Sequence, residues 1–152
     1  MISINTFIRG DPKGQPRPRA FARKMGSKHV ARMYDSDVAD RWKRAVDDGI
    51  RQLVLSERIS TPTEAPIALM IAFFFARPKS HTGAKGLKPS APRKHTQKPD
   101  IDNLIKLVAD RITRNGRIWR DDAQIEIVTA MKFWAECERG AGCVIAISWE
   151  DS

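Results

Sequence analysis

Lys98-Pro99-Asp100-Ile101-Asp102-Asn103-Leu104-Ile105-Lys106 is the stretch from which the rest of the chain can be read. Ile101, Leu104, Ile105, Val108 and Ile112 recur at helical spacing. The acidic residues therefore stand where a loop or strand turns into a helix. In an extended segment side chains two apart point the same way, so the carboxylates of Asp100 and Asp102 can converge on one point. Lys106 lies four residues beyond Asp102, on the same helical face. A second acidic pair, Asp121-Asp122, lies just before a strand and can fold back onto the helix start.

Two readings of these acids stand side by side. Asp and Asn are favoured helix caps, because their side-chain oxygens accept the unpaired N–H groups of the first turn. Negative charge there also suits the helix dipole. On that reading Asp121-Asp122 is an ordinary turn. The second reading starts from number: one acid suffices for a cap, and here there are two, with Asn103 beside them. Carboxylates sharing a site repel unless a cation lies between them. Mg²⁺ takes one or two carboxylates together with phosphate oxygens and water. Such an ion can activate water and stabilise a phosphoryl displacement. An acid cluster inside a basic protein thus points to a metal-dependent nuclease.

The background is strongly basic. The 152 residues carry a formal net charge of +9, which predicts attraction to a polyanion. Nucleic acid is the first candidate and an anionic membrane surface the second. Hydrophobic residues make up 41%, enough for a core, and the length suits one domain. The longest apolar run, Ile67 to Ala76, falls short of the roughly 20 residues a spanning helix needs. Met1 to Asn5 lacks the pattern of a secretory signal. Cys137 and Cys143 have no zinc-like partners and read as ordinary reduced thiols.

A first strand is expected to end near Arg9. Residues 10–35, with Gly10, Pro12, Gly14, Pro16 and Pro18, read as a long irregular basic loop and a phosphate-contacting arm. A helix is expected over 36–56, capped by Ser36, with Val38, Trp42, Ala45, Val46, Ile50, Leu53 and Val54 on its buried face. Gly49 is a weak point in it. Ile59 to Pro66 is a linker, and 67–76 a buried central strand. Residues 78–98 read as a flexible basic loop, in which His81 and His95 are assigned no role. The second helix ends near Asn115-Gly116. Ile118-Trp119 suggests a short strand. Residues 124–134 place Ile125, Ile127, Thr129, Met131 and Phe133 on one face, and form a hairpin with 143–149. The order is β-α-β-α-β-β: an α/β (α+β) domain with a mixed sheet and two main helices packed on it.

Asp100-Ile101-Asp102-Asn103 with Lys106, followed by Trp119-Arg120-Asp121-Asp122-Ala123-Gln124, resembles the RusA family of Holliday junction resolvases. Gly10-Asp11-Pro12-Lys13, running on to Pro16-Arg17-Pro18-Arg19, is similar to that family's N-terminal segment. The resemblance covers most of the chain, and the acidic motif is its more specific part. It implies Asp100, Asp102 and Asp122 as the essential, metal-holding carboxylates, with the neighbouring Asp121 assisting in the metal site, and Lys106 as the functional lysine. One extra residue between the helix and Asp121 leaves open which of Asp121 and Asp122 is the key ligand. The expected activity is a Mg²⁺-dependent endodeoxyribonuclease cutting four-way DNA junctions as a homodimer. The expected setting is cytoplasmic, in a bacterium or its phage or prophage. Lys13, Arg17, Arg19, Arg23, Lys24 and Lys98 are the expected DNA contacts, and Lys106 the residue on the scissile phosphate. The rivals are a DNA- or RNA-binding module without catalysis, and a metal-dependent nuclease with another nucleic-acid substrate.

Overall fold

The apolar run at 67–75 needs neighbours on every side, and the fold is built around meeting that need. In the computed structural model, which describes residues 1–16, 19–25, 28–34 and 37–150, the chain runs β1 (Ile2–Arg9), β2 (Arg19–Met25), β3 (Lys28–Tyr34), α1 (Asp40–Ser56) and β4 (Ile67–Phe75). It continues with β5 (Thr82–Gly83), β6 (Gly86–Leu87), α2 (Ile101–Asn115), β7 (Ile125–Trp134) and β8 (Gly142–Trp149). The main sheet has the order β1-β8-β4-β7. β8 runs antiparallel to both β1 and β4, while β7 runs parallel to β4, so the sheet is mixed.

β7 and β8 are therefore not a hairpin: β4 lies between them. Ile67, Leu69, Ile71 and Phe73 are all buried, which demands an interior strand with a partner on each edge. The chain leaving β7 first closes over the end of β4, where Ala135 N donates to Phe75 O (2.8 Å), and only then enters β8. β7 also departs from simple alternation. A register shift between the Ile67 and Ala68 pairings places Ile125 beside Ile67 but Ile127 beside Ala68. Ile125 packs on the core, whereas Ile127 is exposed, so the two do not share a face.

Both helices contribute to one core. Trp42, Val46, Ile50 and Leu53 of α1 meet Leu104, Leu107, Val108 and Ile112 of α2 against Ile4, Ile8, Leu69, Phe73 and Ile145 of the sheet. Arg111 locks the helices together, donating from Nε to Asp47 Oδ1 (2.6 Å) and from Nη2 to Oδ2. That bond, above all, raises the guanidinium pKa beyond its ordinary value. Gly49 is required rather than weak. A Cβ at this position would lie 2.5 Å from Ile8 Cγ1, so even alanine overpacks the helix against β1, at about 1–3 kcal/mol.

α1 begins later than its periodicity suggests. A 3₁₀ turn spans Asp37–Ala39, and Ala39 takes the N-cap position without a side-chain bond. Ser36, the expected cap, lies outside the described residues. Val38 is 69% exposed instead of buried. The segment 10–35 is not irregular throughout, because β2 and β3 pair antiparallel from Arg19–Tyr34 to Met25–Lys28. The prolines stop at Pro18, and both strands beyond it are free of them.

Candidate active site

α2 opens directly from the loop that precedes it. Lys98-Pro99 is a cis peptide. Lys132 of β7 holds this approach, its Nζ donating to Gln97 O (2.5 Å) and Pro99 O (2.9 Å). From the other side Gly14 packs on Asn103, where a Cβ would sit 3.0 Å from Asn103 Cβ. Gln15 N donates to Asn103 O (2.9 Å). Two separate parts of the chain, β7 and the Gly14-Gln15 segment, thus fix where Asp100 and Asp102 stand.

Asp100 occupies the N-cap position of α2 in extended backbone, yet its side chain makes no cap hydrogen bond. Among the described residues neither Asp100 nor Asp102 has a salt-bridge partner, and both are exposed. Among the described residues their oxygens accept no hydrogen bond. They share an open cavity of about 800 Å³ with Lys98, Ile101, Lys132 and Phe133. Ile101 lines this cavity, 38% exposed, and not the core. Leu107 takes the buried place on α2 instead, and Gly116, with φ +67°, ends the helix where expected.

The second acidic pair divides its labour. Asp121 caps the 3₁₀ turn Asp122–Gln124, its Oδ1 accepting from Ala123 N (2.9 Å). Gln124 completes the arrangement: Oε1 accepts from Arg120 N (2.9 Å) and Asp121 N (3.2 Å). Its Nε2 donates to Thr63 O (3.0 Å) and Ala65 O (3.2 Å), which ties the turn to the segment before β4. Asp122 is exposed and has no such bond among the described residues. The turn packs against α2, but Asp121 and Asp122 line no part of the cavity that Asp100 and Asp102 share, so the two pairs do not fold onto one point. Nearby, Trp119 is fully buried and donates from Nε1 to Thr113 Oγ1 (2.8 Å), while its backbone forms an isolated bridge to Thr63.

No three carboxylate, histidine or cysteine side chains among the described residues gather at metal-holding spacing. Hard oxygen donors without other bonds are nevertheless what Mg²⁺ takes, and one or two of them suffice when phosphate and water supply the rest. Lys106 is exposed and lies 3.7 Å from Asp110, one turn further along α2.

A family model described as Endodeoxyribonuclease RusA matches residues 9–147. The chain belongs to the RusA family. A relative, the uncharacterized protein YqaN of Bacillus subtilis (strain 168), is 31% identical over 140 residues, covering 90% of this chain and 91% of that protein. The family is one of Holliday junction endonucleases, which places this chain among DNA-cutting hydrolases.

Within this RusA chain the expected DNA contacts fall in different places. Lys98 is exposed beside the acids. Lys13 is bound to Asp11 at 2.7 Å. Arg17, and the side chains of Arg19, Arg23 and Lys24, lie outside the described residues. The loop at 78–98 is anchored where a flexible one was expected. His81 (9% exposed) and His95 (7%) are buried, and His95 stacks on Phe75 (4.1 Å between centroids) and meets Trp134 at 4.3 Å. Burial, followed by the charge of Lys132, lowers the His95 pKa below its ordinary value. Sequence reasoning missed Lys132, Gln124 and His95 because their partners come from distant segments. Only Gln124, three residues beyond Asp121, carried a local signal, that of a capping box. Cys137 is exposed and Cys143 buried, and both are free thiols. Burial pushes Cys143 up to about 12. No helix among the described residues is long and apolar enough to cross a membrane.

Proposed function

We propose that this chain is a Mg²⁺-dependent, structure-selective endodeoxyribonuclease that resolves four-way DNA junctions in recombination and repair. The observation that carries the reading is Asp100: it stands at a helix N-cap and does not cap. A carboxylate whose position explains it locally, but whose bonds do not, is available for ligand chemistry. Asp100 and Asp102, which share one cavity, are the residues to hold the ion, with phosphate and water completing its shell; Asp122 is the third acid that the family pattern names, and Asp121 shapes the turn that presents it. When bound, Mg²⁺ would supply an activated water and charge stabilisation at the phosphate. Lys106 reaches the non-bridging oxygens of the scissile phosphate and offsets the charge that develops there. Lys98 meets the neighbouring phosphate, and the β2–β3 segment with Arg17, Arg19, Arg23 and Lys24 supplies further backbone contacts.

A junction has an approximate two-fold axis, and resolving it takes two matched cuts. One acidic site per chain provides one cut, so a symmetric homodimer provides both. Such an enzyme works where chromosomal or phage DNA lies, in the cytoplasm. The test is a panel of labelled duplex, flap and four-way DNAs, each incubated with and without Mg²⁺. Paired cuts on the four-way substrate alone, only with Mg²⁺, are expected. Equal cutting of duplex would replace the junction by another nucleic-acid substrate. Binding without cutting under every metal condition would leave a binding module.

A further inference from the structure

A second charged concavity lies away from the acids, where β1 meets the start of α1. It encloses about 630 Å³ and is lined by Arg9, Lys13, Arg41 and Arg44 together with Asp11 and Asp40. The two acids are already engaged, Asp11 with Lys13 (2.7 Å) and Asp40 with Lys43 (3.8 Å). Arg9, Arg41 and Arg44 are exposed and have no acidic partner within salt-bridge distance among the described residues. Trp42 forms part of the wall and is fully packed, so the charges stand on a rigid base. Gly10, with φ +151°, lies so close to the indole that a Cβ would be 3.0 Å from Trp42 Cε3.

The concavity is joined to the acidic site by a short strap. Gly10 is held at one end by Ala141 O (3.1 Å), and Gln15 at the other by Asn103 O (2.9 Å). Five residues span at most ~18 Å. At 3.4 Å per nucleotide along one strand, that is roughly five nucleotides.

We propose that Arg9, Arg41 and Arg44 form a second phosphate-binding subsite, which takes the DNA backbone a few nucleotides from the acidic site. The inference rests on the reading of the chain as a DNA endonuclease and adds a register to it. Guanidinium groups suit phosphate because their planar donors engage two oxygens at once.

The test is binding of a labelled four-way DNA junction by the full chain in EDTA, across a salt series. Arg41→Gln with Arg44→Gln, two exposed helix-surface changes, should lower the slope of log K against log salt by about 1.8, that is 0.9 per lost phosphate contact. Arg41→Lys with Arg44→Lys should restore most of the slope. Arg114→Gln with Arg117→Gln, at the opposite end of α2, removes the same charge and should change it little. Ethylation interference should reveal phosphates whose ethylation weakens binding of the wild type and no longer weakens binding of the Gln variant. An unchanged slope in the Gln variant overturns the inference, as does an equal fall in the Arg114/Arg117 control, which would mean net charge alone. Because no metal or cleavage enters the measurement, a chain that binds but never cuts sinks the nuclease reading and leaves this one standing. A wild-type chain that binds no DNA sinks both.

Discussion

The two acidic pairs look alike in sequence and are built in opposite ways. At Asp100 and Asp102 the backbone is the anchored part. Lys132 grips the carbonyls of Gln97 and Pro99, Asn103 receives Gln15, and the carboxylates themselves bond to nothing among the described residues. At Asp121 and Asp122 one carboxylate is itself the anchor, since Asp121 closes its turn by accepting from Ala123 N. The lesson is that a capping residue and a ligand residue are separated by where their lone pairs go, not by their position. Asp100 has the position of a cap without the bond, while Asp121 has both.

The sharpest way to break this contrast is Asp102→Asn. Asn keeps the shape and caps about as well as Asp. If the first pair were structural, the variant would cut normally. On the present reading it removes a metal ligand. Changes in residues that merely support a ligand already cost 10–100-fold, so the loss should be at least about 100-fold in cleavage rate with Mg²⁺. Binding of a junction in EDTA should be as tight as wild type or tighter, because a charge that repels phosphate is gone. Full-rate cleavage by a folded Asp102→Asn would remove the acid from the catalytic set.

The next contrast lies within the second pair. Asp122→Asn should lower cleavage by about 10–100-fold, since its carboxylate is the one left unbonded among the described residues. Asp121→Asn keeps an oxygen for Ala123 N and should stay within a few-fold of wild type. The reverse ranking in parallel cleavage time courses would make Asp121 the ligand and Asp122 the spectator. It would also settle the register that the extra residue before Asp121 left open.

Much of the frame was legible because it depends on local rules. The apolar periodicity of α2, its glycine end at Gly116 and the unbroken apolar run of β4 all read directly. Pairing was not legible at β7, because its partner is chosen by what β4 needs on its free edge, a requirement no window of sequence contains. Gly49 read as a helix weakness because the packing of Ile8 against it is non-local. His81 and His95 sat in a loop of polar composition, but the rings that bury them, Phe75 and Trp134, come from two different strands. The site residues followed the same division. The carboxylates were named from their spacing, whereas Lys132, which sets the place of Asp100, lies 32 positions along the chain from it.

The smallest effect is also the one that separates structure from chemistry most cleanly. Asp121→Ala deletes the acceptor for Ala123 N, while Gln124 still holds the turn through Arg120 N, Asp121 N, Thr63 O and Ala65 O. Loss of a cap costs typically about 1 kcal/mol. For a chain of this length that is a fall of about 2–4 °C in Tm. Asp122→Ala removes no hydrogen bond within the described residues and should leave the melting temperature near wild type. Asp121 should therefore lower Tm with modest loss of cutting, and Asp122 should lower cutting without loss of Tm. Thermal melts of both alanine variants, run without metal so that no ligand term enters, decide the matter. A lower Tm for Asp122→Ala than for Asp121→Ala would mean that the carboxylate bonded in this turn is the other one, and the contrast between the two pairs would lose its basis.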